Sequence, residues 1–337
     1  MKKSISLLVV FALILGLFWT VSENSEEQPD EEDILSVAVV VSSAFGDKSF
    51  NDSAMEGAEN LKTEFGVNVT YIECKGEGYK QHLMDAADAA EVVAAVGMDL
   101  YEIAEVAPEH PNTKFIWIDN AAEGIKDIPN LLCVTYAQNE GAFLAGYIAA
   151  SMSESGIIGA VGGADMISVN DFFKGYQQGA KYADPEIKVK KVYAEGFDHP
   201  ESGKACAEEL IKKNADIIFN VAGNTGNGIF QTAKEAGVRV IGVDSDQKLT
   251  CPEFDDIILC SVKKDIGKTI YDVVVDYMET GEWNGSKVVL KKLKSSYLSI
   301  VYGDETSQQL VNDKLKAEVN AVSEQIMAGE IKVKTAR

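Results

Sequence analysis

The chain has only five cysteines, and their positions exclude several kinds of protein. None of them directly follows the apolar run near the amino terminus, so the sequence encodes no lipid anchor of the lipoprotein type. No two are closer than nine residues, which excludes the Cys-x-x-Cys pattern of redox and zinc motifs. An odd number allows at most two disulfides, and the pairing stays open. The five are Cys74, Cys133, Cys206, Cys251 and Cys260.

Histidine is also scarce, and the catalytic signatures that depend on it are missing. The three histidines, His82, His110 and His199, are scattered, and neither H-E-x-x-H nor G-x-S-x-G occurs. His199-Pro200-Glu201 matches one half of a zinc deaminase signature, but the P-C-x-x-C half is absent. We therefore predict a protein that is not an enzyme and that needs no metal and no cofactor. A hydrolase that uses paired carboxylates is the alternative.

Positive charge is limited as well. The chain carries 31 Lys and Arg residues against 53 Asp and Glu residues, a formal net charge of −22. Without Lys2 and Lys3 the net charge is −24. This balance argues against nucleic acid or an anionic membrane surface as a partner. We interpret the excess of acidic residues as a contribution to solubility.

The amino-terminal part has the layout of an export signal. Two lysines precede an apolar run from Ile5 to Trp19, and the sequence then turns acidic. We predict that residues 1–22 are a signal peptide or an amino-terminal membrane anchor. Seven of the eleven residues from 23 to 33 are acidic, which predicts a disordered tether. The expected location is extracytoplasmic and associated with the plasma membrane.

The remaining chain alternates strand-like and helix-like runs, which is typical of βαβ units and parallel sheets. Its length exceeds the ~100–200 residues of one ordinary domain, which indicates two α/β lobes. We assign residues 34–138 and 264–285 to an N-lobe, and residues 139–263 and 286–337 to a C-lobe. This division makes the chain cross between the lobes more than once. Such crossings form a hinge over a ligand cleft.

Polar and aromatic residues cluster at the turns that follow the predicted strands. The first of these turns, Gly46 to Asn51, offers a carboxylate, an aromatic ring and an amide within a few residues. Because the carboxyl ends of parallel strands meet at one edge of a sheet, we expect these turns to form one site. Carboxylates favour a neutral ligand whose hydroxyl groups donate hydrogen bonds to them. The candidates from these turns are Asp47, Phe50, Asn51, Asp119, Phe172, Gly223 and Asp244.

Each candidate has an alternative interpretation. Aspartate caps helices and occupies turns, so Asp47 has a purely structural alternative. Phe50 and Phe172 would also suit a hydrophobic core. Asp244-x-Asp246 could hold a divalent cation, although no loop of spaced oxygen ligands surrounds it. The stretch from Gly223 to Gly228 could bind a phosphate, but it lacks the lysine of a P-loop.

Several motifs, taken in order and spacing, resemble the basic membrane protein family of ABC-transporter substrate-binding proteins, which includes purine-nucleoside receptor lipoproteins. The resemblance covers residues 35–305. It implies a type I periplasmic-binding-protein fold, which is α/β with two Rossmann-like lobes, parallel sheets and a multi-strand hinge. The lipobox cysteine of the lipoproteins is absent here. The motifs are Asp47-Lys48-Ser49-Phe50-Asn51, Asn139-Glu140-Gly141-Ala142-Phe143-Leu144-Ala145-Gly146-Tyr147, Gly162-Gly163 with Phe172-x-x-Gly175-Tyr176, Ala222-Gly223-x-Thr225-Gly226-x-Gly228, and Ile241-Gly242-Val243-Asp244-Ser245-Asp246-Gln247.

The resemblance also implies roles for individual residues. Phe50 and Phe172 would sandwich a base, and Asp244 with Lys264 would hold a ribose. The base edge or the ribose would be read by two further residues, Asn51 and Asp119.

The function implied by the resemblance is extracytoplasmic solute binding for an ABC transporter. The expected ligand is a nucleoside, with a purine as the base, bound between the lobes and delivered to a membrane permease. The protein would be a monomer, and nucleic acid would not be among its partners. The alternatives are a ligand-sensing signalling receptor of the same fold and a nucleoside hydrolase.

Overall fold

The computed structural model describes residues 34–336, so the signal, anchor and tether expected in residues 1–33 lie outside the described residues. The described strands are β1 (Ser36–Val41), β2 (Asn68–Glu73), β3 (Val92–Val96), β4 (Lys114–Ile118), β5 (Leu131–Tyr136), β6 (Ile157–Gly162), β7 (Lys188–Tyr193), β8 (Ile217–Val221), β9 (Arg239–Asp244), β10 (Ile258–Lys264), β11 (Lys287–Lys291) and β12 (Leu298–Val301). The described helices are α1 (Phe50–Phe65), α2 (Tyr79–Ala89), α3 (Ile103–Glu109), α4 (Gln138–Met152), α5 (Ile167–Ala183), α6 (Pro200–Lys212), α7 (Gly226–Ala236), α8 (Gln247–Thr250), α9 (Ile266–Thr280) and α10 (Asp313–Ala328).

The strands form two six-stranded sheets with the same internal arrangement. The first has the order β11-β5-β4-β3-β1-β2, and the second has the order β12-β10-β9-β8-β6-β7. Neighbouring strands are parallel throughout, except that β12 is antiparallel to β10. Two equivalent α/β lobes result, which confirms the predicted fold class.

The composition of the strands explains why they lie inside the lobes. Residues Val37 to Val41 of β1 and Val92 to Val96 of β3 are all fully buried. Continuous apolar runs of this kind are typical of parallel strands with helices on both faces of the sheet. Each sheet also has a point where the strand order reverses, between β1 and β3 in the first lobe and between β6 and β8 in the second. Ligand crevices in open α/β sheets occur at such points.

The chain passes between the lobes three times within the described residues. The connections run from β5 to α4, from β10 to α9, and from β11 to β12. Strand β11 differs from the division that we expected, because residues 286–337 were assigned to the C-lobe whereas β11 pairs with β5 in the first sheet. Lys264, assigned to the N-lobe, is the last residue of β10 and pairs with Leu298 in the second sheet. Both differences fall at crossings, where an apolar pattern indicates a strand without indicating its partner.

The sequence pattern predicts a helix over residues 171–183 and a final helix from about residue 305 to residue 327. Helix α5 instead begins at Ile167, and α10 begins at Asp313. The start of α10 is set by Asn312, whose side chain accepts a hydrogen bond from the backbone N–H of Leu315 at 2.9 Å.

All five cysteines, which lie within the described chain, are free thiols. Between residues 34 and 336, no helix is both long enough and apolar enough to span a membrane.

Candidate functional site

A cavity of about 570 Å³ lies where the carboxyl-terminal edges of the two sheets face each other. The segments after β1, β2, β3 and β4 line it from the first lobe, and the segments after β6, β7, β8 and β9 line it from the second. Its size falls within the ~300–1,000 Å³ that is usual for small-molecule sites. The cavity brings together all of the residues predicted from the sequence: Asp47, Phe50, Asn51, Asp119, Phe172, Gly223, Asp244 and Lys264. That they contact a ligand stays a prediction.

Two aspartates occupy equivalent positions in the two lobes. Asp119 directly follows β4, and Asp244 ends β9, which takes the same place in the order of the second sheet. Both have a left-handed backbone, with φ of 74° and 63°. Non-glycine residues in that region carry a free-energy cost and are concentrated at functional sites. Their side chains are buried, with 5% and 7% of the residue surface exposed.

A buried lysine lies between these two carboxylates. The Nζ atom of Lys264 is 2.9 Å from Asp119 Oδ2 and 3.7 Å from Asp244 Oδ1. A buried ammonium group needs such partners, because an unpaired charge away from water is strongly destabilising. Burial raises the pKa of Asp244, and the nearby Lys264 opposes this shift.

Each of the two carboxylates keeps one oxygen without a hydrogen bond. Asp119 Oδ1 and Asp244 Oδ1 are buried, and no donor among residues 34–336 bonds to either of them. A buried polar atom without a partner is costly, and in a native structure it calls for an explanation. Two buried acceptors that flank an ammonium group are suited to bind the hydroxyl groups of a ligand.

Two aromatic rings approach this group from opposite lobes. Phe50 is the first residue of α1, and Phe172 lies in the second turn of α5. The Lys264 Nζ atom is 4.7 Å from the ring centroid of Phe50 and 5.5 Å from that of Phe172, within the ~6 Å range of cation–π contacts. Phe172 also packs against Phe219 of β8, with ring centroids 6.0 Å apart. It therefore belongs both to the core and to the cavity wall.

Asp47 and Asn51 make hydrogen bonds that fix the wall of the cavity in the first lobe. The carboxylate of Asp47 accepts hydrogen bonds from the backbone N–H groups of Ser49 at 3.0 Å, Asn51 at 2.9 Å and Asp52 at 3.1 Å. It thus holds the start of α1, as the structural alternative anticipates. Burial raises the pKa of Asp47 to about 7, against the effect of these N–H donors. The Asn51 side-chain amide donates to the carbonyl oxygen of Ala44 at 2.8 Å, which fastens the loop after β1.

The structure also bears on the two binding alternatives near Asp246 and Gly223. The carboxylate of Asp246 accepts from the backbone N–H groups of Lys248 at 3.3 Å and Gly303 at 2.9 Å, so both of its oxygens are occupied by backbone donors. In the part of the chain from 34 to 336, no group of three or more His, Cys, Asp or Glu side chains could hold a metal ion. Gly223 has φ of +54°, and a Cβ atom there would lie 3.2 Å from the carbonyl oxygen of Phe197.

The cavity lining includes residues that were not predicted, and two of them are aromatic. Phe45 and Phe197 line the cavity, and both follow the carboxyl end of a strand, where the rule used for the other candidates applies equally. Ser49 donates a hydrogen bond to Asp244 Oδ2 at 3.0 Å from the opposite lobe. No local pattern distinguishes Ser49, because its partner is 195 residues away in the sequence.

Two facing α/β lobes with a polar and aromatic cavity between them define the class of two-lobed solute-binding proteins. A family model described as "ABC transporter substrate-binding protein PnrA-like" matches residues 34–337. The chain belongs to this family, the Bmp family. The family consists of substrate-binding proteins of ABC transporters and is not a class of enzymes.

Individual relatives agree with this assignment. Basic membrane protein A of Borreliella burgdorferi (strain ATCC 35210) is 32% identical over 303 residues, which covers 89% of this chain and 87% of that protein. Basic membrane protein D of Borreliella burgdorferi (strain JD1) is 31% identical over 331 residues, covering 96% and 94%.

Solved structures of solute-binding proteins share the fold. One from an ABC transporter system of Aeropyrum pernix K1 superposes with a TM-score of 0.78 at 26% identity, covering 89% of this chain and 93% of that one. Another, from Conexibacter woesei DSM 14684, has a TM-score of 0.73 at 24% identity and covers 90% and 99%. The second similarity is a likeness of fold alone.

Proposed function

We propose that this protein binds a nucleoside, with a purine as the base, in the cavity between its lobes and delivers it to an ABC permease. One observation carries the proposal. Two phenylalanine rings from opposite lobes and two carboxylate oxygens that accept no hydrogen bond from the described chain converge around Lys264. A ligand that matches this arrangement has a flat ring system attached to a group with several hydroxyls.

The rings suit the base. Phe50 and Phe172 come from different lobes, so a planar ligand held by both would also hold the lobes together. Stacking of a nucleobase on an aromatic side chain contributes ~1–3 kcal/mol per base. Phe45 and Phe197 add further apolar surface to the same cavity.

The carboxylates suit the ribose. Asp119 Oδ1 and Asp244 Oδ1 lie near one ammonium group, and each accepts no hydrogen bond from the described chain. Two hydroxyls on neighbouring carbons would satisfy both acceptors. The oxygens of those hydroxyls would in turn accept from Lys264, which has three N–H donors. A nucleobase without a sugar would leave these buried groups unsatisfied.

Family membership supports the remaining parts of the proposal. Substrate-binding proteins of ABC transporters act outside the cytoplasm and pass a small molecule to a permease. We propose the same location for this protein, in association with the membrane, and a monomeric state.

A calorimetric screen of the purified chain tests the ligand class. We expect inosine, guanosine or adenosine to bind at micromolar concentrations or below, and nucleobases and ribose to bind much more weakly. Binding of ribose alone with equal affinity would contradict the role of the rings. Release of free base during incubation with a nucleoside would instead favour the hydrolase alternative.

A second prediction concerns the rings of Phe50 and Phe172. Phe50→Ala and Phe172→Ala are each expected to weaken nucleoside binding by roughly 10- to 100-fold, because each removes a stacking contact of ~1–3 kcal/mol. Phe50→Tyr keeps the ring and serves as the matched control. Unfolding temperatures measured in parallel separate lost binding from lost packing, which matters for Phe172 because it also contacts Phe219. Unchanged affinity in Phe50→Ala would remove that ring from the site.

A further inference from the structure

Ser49 lies at the interface between the two lobes and contacts Asp244, which is far away in the sequence. It precedes the first residue of α1 in the first lobe, yet its side chain does not cap that helix. Its hydroxyl is fully buried and lies 3.0 Å from Asp244 Oδ2 and 3.2 Å from the carbonyl oxygen of Val243. A serine hydroxyl has one proton to donate. The carboxylate is the nearer acceptor and the charged one, which makes it the stronger partner.

The two cleft carboxylates are held in a crossed arrangement. Asp119 of the first lobe receives a hydrogen bond on Oδ2 from Lys264 of the second lobe. Asp244 of the second lobe receives one on Oδ2 from Ser49 of the first lobe. In both cases the opposite lobe occupies one oxygen, and the other oxygen has no hydrogen-bond donor within residues 34–336.

We propose that Ser49 is a positioning residue, which holds the Asp244 carboxylate so that Oδ1 faces the ligand, and which does so only when the lobes are closed. This inference deepens the proposed function and rests on it. The terminal torsion of an aspartate is broad, so its own geometry does not fix the carboxylate. Without the Ser49 hydroxyl, Lys264 at 3.7 Å is free to draw the carboxylate into a direct ion pair. The oxygen meant for the ligand would then be occupied.

The location of donor and acceptor on different lobes links this positioning to closure. Opening about the three crossings separates Ser49 from Asp244, and Lys264 from Asp119, in the same movement. Each lobe alone therefore presents an incompletely oriented acceptor. A hydroxyl ligand finds two oriented oxygens only in the closed form, which adds to the preference of the ligand for that form.

A neighbouring contact provides a matched control. Ser245 Oγ donates to the backbone carbonyl oxygen of Ser49 at 3.0 Å. This bond crosses the same interface between the lobes, next to the same residues, and does not involve the Asp244 carboxylate. Ser49→Ala and Ser245→Ala each remove one oxygen atom and one hydrogen bond between the lobes. Only Ser49→Ala removes the bond to the carboxylate.

The test measures nucleoside affinity and the state of the Asp244 carboxyl in the full chain. With inosine as the probe in calorimetry, we expect Ser49→Ala to lose about tenfold or more in affinity, the scale of one charge-assisted hydrogen bond. Ser245→Ala should lose clearly less. Carboxyl ¹³C resonances of inosine-saturated protein, in which the lobes are closed, with Asp244→Asn identifying the signal, should show a higher Asp244 pKa in Ser49→Ala than in wild type or Ser245→Ala. Thermal unfolding checks that both variants stay folded.

Two results would overturn the proposal. Equal losses of affinity in Ser49→Ala and Ser245→Ala would show that Ser49 acts only as a contact between lobes. An Asp244 carboxyl titration that is unchanged in Ser49→Ala would show that the hydroxyl does not hold the carboxylate. If wild-type protein binds no nucleoside, the proposed function fails and this inference fails with it, whereas either of the two results above, obtained while wild type binds inosine, overturns the inference alone.

Discussion

Asp244→Asn is expected to weaken nucleoside binding by roughly 10- to 100-fold in calorimetry. The substitution removes the charge from a buried acceptor, and a hydrogen bond to a charged group contributes about 1.5–3 kcal/mol. It also replaces one oxygen by an amide N–H₂ group, which places a donor where either Ser49 or the ligand now donates. The buried Lys264 loses one of its two carboxylate neighbours in the same step. Affinity should therefore fall while the fold is retained, because Asp119 still pairs with that lysine.

Asp246→Asn is the matched control for this prediction. It makes the same change of charge two residues away, on the same loop. Asp246 is outside the cavity lining, and its oxygens accept from the backbone of Lys248 and Gly303. We expect its nucleoside affinity to stay close to that of wild type. An equal loss in both variants would indicate a general effect of charge, and an unchanged affinity in Asp244→Asn would remove that residue from the ribose site.

The location of the site could be predicted from the sequence, but the hydrogen bonds that each of its side chains makes could not. Polar turns after strands had to meet at one edge of parallel sheets, and the structure brings all of them to one cavity. Whether an aspartate in such a turn faces a ligand or caps a helix depends on its side-chain torsions. Asp47 shows this, because three N–H donors within its own turn occupy its carboxylate. The pairing of Ser49 with Asp244 depends on how two distant loops meet, which no local pattern records.

The fold shows a similar division between local and long-range information. The strand-like runs of the sequence predict strands over residues 92–96, 114–118 and 131–136 and near 287–291. Strands β3, β4, β5 and β11 lie at these bounds, because the runs end at turn residues. Strand β11 joins the first sheet because it pairs with β5 at the edge of that sheet. The local sequence of β11 does not indicate this partner. Helix α10 starts late because the segment before it is tied to the second lobe, through Asp246 to Gly303 and through Lys248 to the carbonyl oxygen of Gln308. Those partners are more than fifty residues apart in the sequence.

Gly179→Val is expected to destabilise the protein by about 3 kcal/mol or more, the upper end of the usual cost of overpacking. Helices α4 and α5 pack so closely that a Cβ atom on Gly179 would lie 1.8 Å from the carbonyl oxygen of Phe143. A Cβ atom on Gly146 or Gly175 would likewise lie 2.0 or 2.1 Å from a carbonyl oxygen of the opposite helix. Backbone atoms cannot turn aside as a flexible side chain can, so the helices must separate. We expect a melting temperature lower by roughly 10 °C.

Two comparisons identify close packing as the cause. Gln177→Val places the same β-branched side chain on an exposed position of the same helix, and it should cost no more than ~0.7 kcal/mol. Gly179→Ala tests the direction in which the melting temperature changes. In an open helix position alanine is more stable than glycine by about 1 kcal/mol, whereas here the Cβ atom itself meets the Phe143 carbonyl oxygen, so alanine should lower the melting temperature. A higher melting temperature in Gly179→Ala would contradict the close approach of α4 and α5. Phe172 is part of α5, so the packing of α5 on α4 positions its ring. A higher melting temperature would therefore also contradict this explanation of where the Phe172 ring lies.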